Sequence, residues 1–347
     1  LFEYFIRYLA PTLNQMKLSL TFLSILVFIG CIAQQQSDKT VVAYVTSGSQ
    51  VMPDPDDVTH INYAFGHVNK TFDGITIERP ERLIAITALK KKNRYLKVLL
   101  SVGGWGSGGF SEMAASKSTR ERFADSCAIL IRQYHLDGID IDWEYPTSKA
   151  AGITAAKDDI HNYTLLMRAI RKAIGAKKLL TLASVDNARF IDFKSIAGLI
   201  DFVNIMLYET DTPPKHQASL YRSALTSYIT CEESVHAHLK AGLKPAQIVL
   251  GMPFYGTGNG IDVQPTILYR DLVQIPALER KWDDTAKAPY LADNKGALVC
   301  SYDDPRSIAF KCAFIKQRGL RGAMYWQYAG DTDEGVLRKA VYDGLMK

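Results

Sequence analysis

The sequence predicts an α/β fold closed into a barrel, and three observations predict it. From residue 40 onward, eight short β-branched or alternating apolar runs recur with charge-bearing helical segments between them, the pattern of repeated βα units on a parallel sheet. Eight parallel strands in about 310 residues suit a (β/α)8 TIM barrel better than an open doubly wound sheet, which usually has fewer strands. The gap between Gly256 and Gly322 is too long for one connecting helix. It predicts a small α+β insertion after the seventh strand, at about residues 257–302.

In chain order the runs are Val41 to Thr46, His60 to Phe65, Lys97 to Val102 and Gly138 to Glu144, then Leu179 to Val185, Asp201 to Tyr208, Gln247 to Pro253 and Gly322 to Gln327. Two intervening segments show helical spacing of apolar residues. Arg120 to Tyr134 carries Phe123, Cys127, Leu130, Ile131 and Tyr134, and Tyr163 to Ile174 carries Leu165, Leu166, Ala169, Ile170 and Ala173. Each has one face to bury. The catalytic barrel is therefore expected over residues 40–347.

Residues 1–39 read differently. Met16-Lys17 precedes an apolar stretch from Leu18 to Gly30 of 13 residues, shorter than the roughly 20 that span a bilayer, so an export signal is expected. Residues 1–15 read as lying upstream of the start. Phe28-Ile-Gly-Cys31 resembles the bacterial lipobox, which makes Cys31 the expected lipidation site and places the protein in the periplasm or on the cell surface. Four further cysteines, Cys127, Cys231, Cys300 and Cys312, match no zinc or redox spacing. They leave disulfides and buried thiols both open.

With 47% apolar and 22% charged residues among 347, the chain is ordinary globular material. A formal charge of +5 without a dense basic block excludes nucleic acid as an expected partner. No cofactor or metal is expected, the membrane is expected only through a lipid anchor, and the protein is expected to act as a monomer.

The fourth run carries the chemistry. In Asp137-Gly-Ile-Asp-Ile-Asp-Trp-Glu-Tyr-Pro146, Asp140, Asp142 and Glu144 fall at alternate positions and so share one face of a strand. Neighbours at that spacing stand about 6–7 Å apart, close enough in a partly dry barrel mouth to resist joint ionisation. One acid should hold a proton near neutral pH. Glu144, nearest the C-terminal rim, is best placed to present it. A solvated acidic strand end is the bland alternative, but three inward acids on an apolar strand cost several kcal/mol without a purpose. A divalent-metal site is the sharper rival, and chelator sensitivity would favour it. The fragment Gly104-x-Gly106-x-x-Gly109 matches a dinucleotide fingerprint only formally, since it follows the third strand and carries Trp105 in the turn.

Asp137-Gly-Ile-Asp140-Ile-Asp142-Trp-Glu144 resembles the Asp-x-x-Asp-x-Asp-x-Glu signature of glycoside hydrolase family 18, the chitinases and endo-β-N-acetylglucosaminidases. Ser101-Val-Gly-Gly-Trp105, Met206-Leu-Tyr208, Gly251-Met-Pro-Phe-Tyr255-Gly256 and Ala323-Met-Tyr-Trp326 resemble the family's motifs on the third, sixth, seventh and eighth strands. The likeness runs over about residues 40 to 340.

The resemblance implies retaining hydrolysis of β-1,4-linked N-acetylglucosamine polymers, chitin or chito-oligosaccharides, in which the sugar's own acetamido oxygen is the nucleophile. It implies Glu144 as acid and then base, Asp142 as the partner of the acetamido N–H, and Asp140 as sharing a proton with Asp142. Tyr208 is implied at the acetamido oxygen and Trp326 as the floor, with Met206 in the same wall. Tyr44, Phe65, Trp105, Tyr145 and Tyr255 are candidate sugar-stacking residues, with packing inside the barrel as the alternative, for Tyr44 and Phe65 above all. Trp105 sits among glycines that supply little volume to bury it. Two departures stand out. Glu209 follows Tyr208 where the family usually has Asp, and the insertion is too short for a deep tunnel, so a shallower cleft is expected. Action on N-glycan cores and a non-catalytic lectin are the other readings, the latter opposed by Glu144.

Overall fold

The structure, a computed structural model, describes residues 38–347. The expected leader at Leu18 to Gly30 and the lipid-bearing Cys31 lie outside the described residues. Strands β1 (Thr40–Thr46), β2 (His60–Val68), a short β3 (Ile75–Ile77) and β4 (Lys97–Gly103) open the fold. β5 (Gly138–Asp142), β6 (Leu179–Ser184), β7 (Phe202–Ile205) and β8 (Ile248–Pro253) follow. β9 (Tyr255–Gly258), β10 (Thr266–Leu268), β11 (Glu279–Asp283), β12 (Ala288–Ala292) and β13 (Leu298–Ser301) precede the last strand, β14 (Gly322–Trp326).

Parallel pairing runs β1-β14-β8-β7-β6-β5-β4-β2, and β2 returns to β1, so the eight-stranded barrel is closed. β3 adds only an antiparallel flap on β2. The insertion is a five-stranded antiparallel sheet, β10-β9-β13-β12-β11, with one short helix, Tyr269–Leu272. It begins at Tyr255, directly after β8.

Alternation along the strands makes two cores. Outward residues such as Ile139, Ile141, Leu180 and Leu182 pack on the helices, while Val42, Ala64, Phe202, Val249 and Met324 fill the barrel interior beneath Tyr44. Helix Lys117–Gln133 buries Phe123, Cys127 and Ile131 as expected. Helix Asp159–Ile174 turns its face by one position and buries Tyr163, Leu166, Met167 and Ile170, leaving Leu165 and Ala173 at the margin. Two strands stop two or three residues short of their expected runs, and β6 and β14 one residue short. β5 ends at Asp142, where its pairing with β4 ends at Gly103, and β7 ends at Ile205, so Glu144, Met206 and Tyr208 stand just beyond strand ends. All four described cysteines are free and buried.

Candidate active site

The barrel strands deliver their C-terminal ends to one hollow of about 160 Å³. β5 supplies its acids, and the two-residue alternation that sends Ile139 and Ile141 outward turns Asp140 and Asp142 inward. Asp140 is fully buried and gathers four donors. The Tyr44 and Ser101 hydroxyls each donate to its Oδ2 at 2.8 Å, and Thr181 Oγ1 (2.5 Å) and Asn204 Nδ2 (3.2 Å) donate to its Oδ1. Burial raises the pKa of this carboxyl and the donors draw it back. The group is thereby braced from β1, β4, β6 and β7.

Asp142, one pleat higher, is treated differently. Burial first, then the charges of Glu144 and Asp140, raises its carboxyl well above the usual range. Its Oδ1 is buried with no hydrogen-bond partner. Glu144 is raised to about 7, chiefly by burial, with the Tyr145 hydroxyl opposing and the Glu209 charge adding. Desolvation and like-charge crowding thus make both outer members of the acid cluster, Asp142 and Glu144, harder to ionise than free carboxyls.

The close approach of β4 to β5 needs glycine. Gly103 has φ 130° and a Cβ there would lie 1.9 Å from the Asp142 carbonyl oxygen. Gly104 donates its N–H to that same carbonyl at 2.9 Å. Gly103→Ala is expected to push the Asp142 backbone aside and lower kcat by about 100-fold, the order of loss that a displacement of about 1 Å causes. Steady-state rates beside a circular-dichroism spectrum of the folded variant check it.

Aromatic rings wall the hollow. Trp326 stacks on Phe65 (centroids 5.7 Å apart, planes at 21°) and tilts against Tyr44. Trp105 is 64% exposed and meets Tyr145 edge-on at 6.4 Å. Tyr145 in turn stacks on Phe190 at 4.9 Å. Tyr208 is edge-on to Tyr255; burial, then the charges of Asp142, Glu144 and Glu209, holds its hydroxyl well above the ordinary phenol range, so it stays a donor. The Tyr255 hydroxyl donates to Glu209 Oε1 at 2.7 Å.

Of the residues singled out in the sequence, Tyr44, Phe65, Trp105, Asp142 and Glu144 line the hollow, as do Met206, Tyr208, Glu209, Tyr255 and Trp326. Asp140 lies among the strands below, and Tyr145 packs beside Trp105. Sequence reasoning missed Ala183, which also lines the hollow, and Thr181 and Asn204, which hold Asp140. Strand parity carries that signal, since Thr181 and Ala183 alternate with Leu180 and Leu182, and Asn204 lies between Val203 and Ile205. Phe190, on a loop, had no such marker.

The model of the family described as glycosyl hydrolases family 18 matches residues 40–331. Chitinase A1 of Niallia circulans is 33% identical over 358 residues, an alignment that takes in 89% of this chain and 50% of that protein; the chain thus spans about half of that relative. The crystal structure of chitinase ChiW from a Paenibacillus strain superposes with TM-score 0.82 at 30% identity, over 89% of this chain and 43% of that one. A family 18 N-acetylglucosaminidase from Paenibacillus barengoltzii gives 0.80 at 33% identity, over 88% of this chain and 100% of that one. Closed barrel, acid-bearing β5 and a family match running from the first strand past the last agree, and the chain belongs to glycosyl hydrolase family 18, as a chitinase-like glycosidase.

Proposed function

We propose that this enzyme hydrolyses β-1,4-linked N-acetylglucosamine chains, chitin or its oligomers, with retention and with the substrate's acetamido group as nucleophile. One observation carries the reading: the buried, unpartnered Oδ1 of Asp142 at the hollow, next to Glu144. An unpaired buried acceptor costs about 1–3 kcal/mol, and the N–H of a bound acetamido group is a donor of the right kind. With that N–H held by Asp142 and the acetamido oxygen bonded by the Tyr208 hydroxyl, the oxygen attacks the anomeric carbon. Glu144 gives its proton to the departing glycosidic oxygen as that bond breaks, and an oxazolinium ion forms. The Glu144 carboxylate then takes a proton from water, whose oxygen opens the ring from the face the leaving group vacated. Asp142, held beside the acetamido group, stabilises the positive charge as it develops. Trp326 floors the sugar, and Trp105 with Tyr145 extends the surface toward solvent.

Digestion of chitotetraose beside a high-mannose glycopeptide tests the substrate. Cleavage of the glycopeptide alone would replace this reading with action on N-glycan cores. The Paenibacillus N-acetylglucosaminidase, matched over its whole length, favours a second reading within the same chemistry, release of single sugars, and monosaccharide as the first product would mark it.

The pH dependence follows from Glu144. The acid must be protonated to act, and its pKa is about 7, so kcat/KM is expected to hold below that value and fall about tenfold per unit above it. A profile flat from pH 6 to 9 would separate the rate from this carboxyl.

A further inference from the structure

On the Glu209 side of the hollow, one buried amide ties three stretches of chain together. Gln217 lies in the long segment between β7 and helix Cys231–Lys240 and is fully buried. Its Nε2 donates to the carbonyls of Tyr255 and Ser301, each at 3.0 Å. Its Oε1 accepts from the Thr257 hydroxyl at 2.8 Å and from the backbone N–H of Glu209 at 3.4 Å. Both donors and both lone pairs of the amide are in use.

Two of those bonds act on Glu209 from opposite ends. Glu209 has φ 57°, the left-handed region that a residue with a Cβ seldom enters, and Gln217 holds its N–H. Its carboxylate is gripped by the Tyr255 hydroxyl at 2.7 Å, and Gln217 holds the carbonyl of that same tyrosine. Glu209 and Tyr255 both line the hollow with Glu144. The side chain here is one methylene longer than the aspartate usual at this point, so it needs fixing at both ends to keep its charge in one place.

We infer that Gln217 is a positioning residue for the reaction, fixing the Glu209–Tyr255 pair in the wall of the hollow and so setting where the Glu209 charge falls relative to Glu144. It touches no reacting atom, and the inference rests on the reading of Glu144 as the acid. If Gln217 only stapled the insertion sheet to the barrel, its loss would lower stability and leave the acid's titration where it was.

The test is Gln217→Met in the full chain, assayed on chitotetraose across pH with Tm measured alongside. The Glu209 charge helps Glu144 keep its proton. Once that carboxylate is free to swing away, the alkaline limb of kcat/KM is expected to move down by about half a pH unit, with KM up several-fold. Glu209→Gln should move the limb the same way, and adding Gln217→Met to it should move the limb no further, since both act through one charge. A limb that stays or rises in Gln217→Met, whatever happens to Tm, overturns the inference, as does a double variant whose shift is the sum of the two. If the Met variant does not fold, Gln217→Asn keeps the amide, falls one methylene short of its partners and is read in the same way. An inactive wild type or an active Glu144→Gln would sink the proposed function; an active wild type with an unmoved limb sinks only the role of Gln217.

Discussion

Glu144→Gln is expected to lower kcat on chitotetraose by about 10²–10⁴-fold, the span that a positioned general acid supplies, while oligosaccharide binding persists. The amide has nearly the shape of the acid and keeps the packing of the hollow, but it has no proton to give the leaving oxygen and no lone pair basic enough to activate water. Binding can be followed through Trp105, whose largely exposed ring should shift its emission to shorter wavelength when a sugar covers it. Near-normal turnover in this variant would remove Glu144 from the mechanism, and lost binding would mean the substitution had damaged the hollow instead.

Asp142→Asn is expected to cost about 10²–10³-fold in kcat, the loss seen when one preorganised electrostatic partner of a charged transition state is removed, with KM changed far less. An amide can still meet the acetamido group, but it cannot become negative as the oxazolinium forms. A chromogenic N-acetylglucosamine oligomer, with initial rates across substrate concentration, separates kcat from KM. Full activity would argue against assistance by the substrate. Equal loss in kcat and in binding would assign Asp142 to holding the sugar rather than stabilising charge.

Much of this was legible in the sequence because barrel strands report themselves twice, through apolar runs and through the parity of what interrupts them. Asp140, Asp142 and Glu144 show their common face in their spacing alone, whereas the close approach of β4 to β5 at Gly103 shows only in the fold. The lesser elements were harder. Runs extended past the strands at Glu144 and Tyr208 because apolar and aromatic residues continue into the rim, where they face the hollow instead of a neighbouring strand. The bracing of Asp140 by Thr181 and Asn204 joins residues more than forty positions apart in sequence, and only barrel closure brings them together. Glu209 could be picked out as a departure, but its left-handed backbone and its tether to Tyr255 depend on an insertion whose internal pairing no local pattern specifies.

The four buried thiols bear on how the protein can be handled. Burial pushes Cys231 up to about 11 and Cys300 and Cys312 to about 12, with Cys127 higher still, so thiolate, the reactive form, is scarce at all of them. No crosslink braces the barrel among the described residues, so its Tm is expected to be the same with and without a thiol reductant. A single cysteine placed on the outer surface would then be the one fast-reacting position of the barrel, open to a dye or a tether without masking the others.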